Sequence, residues 1–190
     1  MTHEYIEESG LRLGFPAGAV FRFQDLAGYR ALCGQSLKEM DFAWRHETTL
    51  YLLEIRDYRN LAQALYRDDL VPSIKGDAPY RFLQLVDKVT DSVLMLLALR
   101  ANTRRSQALR DGLPDFAKSR IRLRLIIALG LPANLNIHLG ALRHTVNSRL
   151  KGRIALADID AISVLDYDRL CEKAPLLGID CEPIADTRNA

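Results

Sequence analysis

The chain has 190 residues, 48% of them hydrophobic and 26% charged, with 26 Lys and Arg against 24 Asp and Glu. That length and balance suit one domain burying roughly 70% of its unfolded surface without a disulfide or metal staple, and exclude wholesale disorder and fibrous repeats. The longest near-apolar run, Val93 to Leu99, is too short for a bilayer, and no apolar stretch follows the acidic start at His3, Glu4, Glu7 and Glu8, so neither a membrane span nor a signal peptide is expected and a cytoplasmic setting is.

In chain order, Gln24 to Cys33 reads as a short helix. Lys38 to Arg45 and Leu50 to Arg56 read as strands joined by a tight turn at His46-Glu47-Thr48-Thr49, and Leu61 to Leu70 as a helix. Pro79 opens a long helix, Tyr80 to Ala101. Gln84, Asp87, Lys88 and Asp91 form a polar stripe on its first half, and Val93 to Leu99 is apolar on every side, which predicts deep burial there. Arg120 to Leu129 reads as a strand with a continuous apolar tail, typical of a sheet covered on both faces. A helix over Asn136 to Leu150, a strand over Ala161 to Leu165, a helix over Asp168 to Lys173 and a last strand near Gly178 to Pro183 complete an α/β fold with a mixed central sheet flanked by helices. Cys33, Cys171 and Cys181 are odd in number with no CxxC spacing, which predicts no disulfide framework and no zinc site.

Charge is unevenly placed. Between Arg100 and Arg153 there are twelve Lys and Arg and two acids, Asp111 and Asp115, which leaves fourteen bases and twenty-two acids elsewhere. Arg120, Arg122 and Arg124 alternate with Ile121, Leu123 and Leu125, so a strand would place three guanidinium groups on one face. Arg149, Lys151 and Arg153 form a second cluster. Arg forks match phosphate oxygens bidentately, which makes these six residues candidate nucleic-acid contacts; a solvated face, or pairing with acids elsewhere, is the other reading.

The most informative stretch is Lys38 to Tyr58. Each of its two strands carries one acid in an apolar setting, Asp41 and Glu54. A carboxylate between Leu53 and Ile55 points away from both by the strand's two-residue period, and burying it without a partner is costly. Two acids on neighbouring strands can share a divalent cation, and Mg²⁺ takes one or two carboxylates together with water and phosphate oxygen. Arg56 shares the face of Glu54.

Asp41 followed thirteen residues later by Glu54-Ile55-Arg56 resembles the signature of the PD-(D/E)xK nuclease superfamily, an Asp and then a strand bearing Glu-x-Lys. The resemblance implies a restriction-endonuclease-like core and hydrolysis of phosphodiester bonds in nucleic acid, DNA rather than RNA, in restriction, repair or defence. It assigns Asp41, Glu54 and the Ile55 carbonyl to Mg²⁺ or Mn²⁺, and Arg56 to the phosphate. Arg56 departs from the pattern: a guanidinium stays protonated and cannot act as a base. Lys88, on the polar stripe of the following helix, is a candidate for the missing amine. Two other readings remain open. The chain could be a catalytically inactive nuclease-fold subunit that binds nucleic acid or a protein partner, or an ordinary hairpin whose acids pair with Arg45, Arg56 or Arg59 in solvent.

No Walker A, GxGxxG or GxSxG motif occurs, and His3, His46, His138 and His144 lack metal-ligand spacing. Trp44 and Tyr51 read as packing residues of the hairpin.

Overall fold

The computed structural model describes residues 2–33, 37–59, 64–73 and 76–184. Strands β1 (His3–Glu8) and β2 (Leu11–Pro16) form a hairpin, and β3 (Val20–Phe21) and helix α1 (Ala27–Cys33) follow. Strands β4 (Phe42–His46) and β5 (Thr49–Asp57) lead to the long helix α2 (Tyr80–Arg100). Two short helices, α3 (Gln107–Arg110) and α4 (Asp115–Lys118), precede β6 (Arg122–Gly130), α5 (Leu139–Ala155), β7 (Ile162–Asp166), α6 (Tyr167–Lys173) and β8 (Asp180–Pro183). The sheets are a five-stranded one in the order β3-β4-β5-β6-β7 and a three-stranded one in the order β1-β2-β8. In the larger sheet β3, β4 and β5 are antiparallel while β5, β6 and β7 run parallel, so α2 and α5 are crossover helices. The expected mixed α/β architecture is present.

The apolar pattern explains the layering. Alternation on β5 sends Leu50 and Leu52 into a core shared with α2 and α5, and Tyr51, Leu53 and Ile55 into a second core beneath β2 and α6. Leu125 to Leu129 of β6 is buried throughout because both faces are covered, as the continuous apolar run predicts. Trp44 and Tyr51 stack at 5.0 Å in the second core, and Trp44 Nε1 donates to the Leu177 carbonyl. Gly28 is required by close approach: a Cβ there would land on the Ala108 carbonyl where α1 meets α3.

Several expectations need correction. The strand predicted from Lys38 begins only at Phe42, and the turn is the two residues Glu47 and Thr48, because His46 pairs with Thr49. Of the predicted helix over 61–70, residues 61–63 lie outside the described residues; the described part is extended until a 3-10 turn at Arg67–Asp69. Val93 to Leu99 is not buried all round: Leu94 is 55% exposed, on a groove that it lines with Leu150, Ile154 and Leu156. Cys171 and Cys181 are disulfide-bonded, joining α6 to β8, although they lack any motif spacing. The strands β1 and β2 carried no clear strand signal. No helix among the described residues is long and apolar enough to cross a membrane.

Candidate active site

The site lies where β4 begins. Residues 38–41 run along α2 and are tied to it by three consecutive contacts: Lys38 N–H donates to Asp91 at 2.9 Å, Lys38 Nζ to Asp87 at 2.7 Å, and Met40 N–H to the buried Ser92 hydroxyl at 2.8 Å. The polar stripe of α2 therefore faces this segment and carries Asp41 to the sheet. Arg22 supports it from the other side, donating to the Asp41 carbonyl at 3.3 Å and pairing with Glu8 at 2.8 Å.

Phe42 is the last β4 residue in register with β5, opposite Leu53. Asp41 then substitutes a side chain for the next rung, its Oδ2 accepting the Ile55 N–H at 2.8 Å. The N–H and C=O of one strand residue point to the same side, so the Ile55 carbonyl also faces this gap. Glu54, one residue earlier, points to the helix side and is fully buried.

Lys88 reaches down from α2 between the two acids. Its Nζ lies 3.2 Å from Asp41 Oδ1 and 2.9 Å from Glu54 Oε2. Arg56 Nε sits 2.7 Å from the other Glu54 oxygen, Oε1. That contact is a charge pair without hydrogen-bond alignment, so Oε1 remains a buried acceptor with no donor aimed at it. Burial, and next the Asp41 charge, push the Glu54 carboxyl up to about 8 against the opposing pull of Lys88 and Arg56. Burial alone lowers the Arg56 guanidinium, but Glu54 and Asp41 outweigh it and hold it above its usual value.

The structure thus brings Asp41, Glu54, Arg56, Lys88 and the Ile55 backbone into one cluster. A solvent-facing hairpin with surface ion pairs does not describe it. Arg59 is engaged with Asp57 and Arg45 lies over the Phe116 ring, while Arg56 does pair with Glu54, but with a buried carboxyl rather than in solvent. Two carboxylates and a main-chain carbonyl are hard oxygen donors of the kind Mg²⁺ and Mn²⁺ take, so the donor types present fit the implied ion, with Lys88 and Arg56 now beside the carboxyl oxygens. Among the described residues no group of three or more His, Cys, Asp or Glu could hold a metal ion, so further ligands would be water and phosphate oxygen.

The six basic candidates are not brought to this cluster. Arg122 and Arg124 are exposed on β6 while Leu123 and Leu125 are buried, as the alternation predicts. Arg122 is level with Thr49, and Glu54 with Ile127, a separation of about 16 Å along the strand. Arg122 and Arg124 also share a face with Ile126 and Ala128, whereas Glu54 shares one with Ile127. Arg120 lies 3.7 Å from Asp158 and Arg122 3.9 Å from Asp160. Arg149, Lys151 and Arg153 are exposed near the end of α5, which leads into β7 and so lies toward that same far end.

Residues the sequence left unmarked also serve the site. Ser92 and Arg22 act on main-chain atoms distant in sequence, and the one signal that could have found Ser92 is a serine among the apolar positions of α2. No protein-family model matches this chain, and neither does any curated protein or solved structure.

Proposed function

We propose that the protein is a metal-dependent phosphodiesterase of the PD-(D/E)xK type that hydrolyses phosphodiester bonds in DNA. The observation that carries this reading is the Lys88 ammonium held between Asp41 and Glu54, because it supplies from α2 the amine that the strand motif lacks. Asp41, Glu54 and the Ile55 carbonyl would hold Mg²⁺ or Mn²⁺; the bound ion supplies an acidified water and a Lewis acid for the phosphoryl oxygen.

The remaining chemistry belongs to the chain's own groups. Lys88 donates hydrogen bonds and so orients an attacking water or an oxygen of the phosphate. Arg56 keeps its Nε beside Glu54 and has two terminal nitrogens to offer to phosphate oxygens, where charge builds in the transition state. Glu54, buried beneath both cations, fixes their positions.

The test is incubation with single- and double-stranded DNA, and with RNA, in Mg²⁺, Mn²⁺ or EDTA. Cleavage that requires metal and is lost in Asp41→Asn, Glu54→Gln and Lys88→Met supports the assignment. Salt-sensitive binding without cleavage would replace it with a non-catalytic nuclease-fold subunit.

A further inference from the structure

Arg81 lies seven residues before Lys88 on α2, two helical turns and about 10 Å along the axis. Its guanidinium lies over the ring of Tyr58, 5.2 Å from the centroid. Tyr58 is buried, two residues beyond Arg56, and feels the charges of both Arg56 and Arg81. Arg81 thus lies over a phenol that follows Arg56 by two residues at the end of β5. Among the described residues no carboxylate pairs with Arg81.

Charge pairing at this end is uneven. Lys88 and Arg56 each have an acidic partner and Lys38 is paired with Asp87, whereas Arg81 has none among the described residues. The unpaired charge sits on Arg81, so an anion is favoured there. A single phosphate at the carboxylate pair would not reach it across about 10 Å, but the next phosphates of a continuous backbone would.

We propose that Arg81, held over the Tyr58 ring, grips a phosphate flanking the reacting one, so that the site selects a polynucleotide chain over a small phosphodiester. This rests on the hydrolytic reading of the same cluster. Arg81 is here a substrate-binding residue, and Tyr58 positions it by holding the guanidinium plane over its ring.

The test has two arms: binding of a labelled oligonucleotide in EDTA over a range of salt, and Mn²⁺-dependent hydrolysis of that oligonucleotide beside bis(4-nitrophenyl) phosphate. Arg81→Gln is expected to weaken oligonucleotide binding about tenfold and to reduce the salt slope by about one. Its loss of kcat/KM on the oligonucleotide should exceed that on the small ester by the same factor, and Arg81→Lys should recover part of the affinity. If Arg81→Gln melts at a clearly lower temperature, Arg81→Met makes the comparison, since it keeps an aliphatic stem over Tyr58. Unchanged affinity and slope, or equal losses on both substrates, would overturn the subsite, as would a wild-type protein that shows no salt-dependent binding. Wild-type binding that is weakened by Arg81→Gln, with neither substrate hydrolysed, would support the subsite and overturn the hydrolytic reading.

Discussion

The backbone N–H of Met40 donates to the hydroxyl of Ser92 at 2.8 Å, and both residues are buried. This bond fixes the segment one residue before Asp41 to the helix that carries Lys88, so the two halves of the site share one mechanical link. Ser92→Ala leaves a buried N–H with no partner, which costs about 1–3 kcal/mol. Urea denaturation should show that loss, and the proposed cleavage should fall with it, because one of the ties between the Asp41 segment and α2 is gone.

Glu54 gives stability a pH dependence of definite sign. Its carboxyl moves from 4.5 up to about 8 on folding, so between those values the folded protein holds a proton that the unfolded chain has released. The contribution is fully present below 4.5 and is lost as pH rises through about 8. Denaturation midpoints measured in EDTA should decline over that window in the wild type, and the slope should flatten in Glu54→Gln. If Glu54 holds the proposed divalent metal, that ion competes with the same proton and its affinity should rise with pH through this range.

Lys88→Met removes the cation between two acids and leaves Asp41 facing a buried Glu54 with only Arg56 nearby. Breaking such a buried pair costs about 3–5 kcal/mol. If Asp41 and Glu54 form a metal site, Mg²⁺ should restore part of this loss in a thermal melt of the variant while raising the wild-type midpoint less.

Two leucines on α2 should behave differently despite near-identical local sequence. Leu96 is fully buried, so Leu96→Ala should cost about 2–5 kcal/mol. Leu94 is 55% exposed, so Leu94→Ala should remain within about 1 kcal/mol of wild type. Chemical denaturation of the two variants side by side checks which faces of the helix are covered.

The Cys171–Cys181 bond closes a short loop between α6 and β8. In the chain-entropy account a loop of this size contributes about 2–3 kcal/mol. Adding dithiothreitol should therefore lower the wild-type midpoint and leave Cys171→Ser unmoved.

How much of this was legible depends on how far each signal reaches along the chain. The spacing of Asp41 and Glu54, the side shared by Glu54 and Arg56, and the stripe holding Lys88 are local periodic features, and local periodicity is what brings these residues to one point. Ser92, Arg22 and Arg81 act through a main-chain amide, a main-chain carbonyl and a ring far away in sequence, for which no spacing rule exists. The same contrast holds for the fold. Helix α2 and strand β6 have long, regular apolar patterns, whereas β1 has half-buried His3, Ile6 and Glu8 among exposed residues and no clean apolar face. The basic segment was visible as charge, but its sequence does not state that it lies at the far end of the sheet. Cys171 and Cys181 meet because β8 returns beside α6, a tertiary event without a local mark.

The central strand of the smaller sheet is β2, and its neighbour β8 follows it only after most of the elements described above. Until residues 180–183 have emerged, the layer holding Phe15, Phe42, Trp44, Tyr51 and Ile55 lacks part of its cover. A growing chain therefore carries a sticky aromatic surface until β8 follows, a state that chaperones bind and aggregation exploits. Trp44 is the sole tryptophan and its indole docks on Leu177, so its fluorescence would time the closing of that layer.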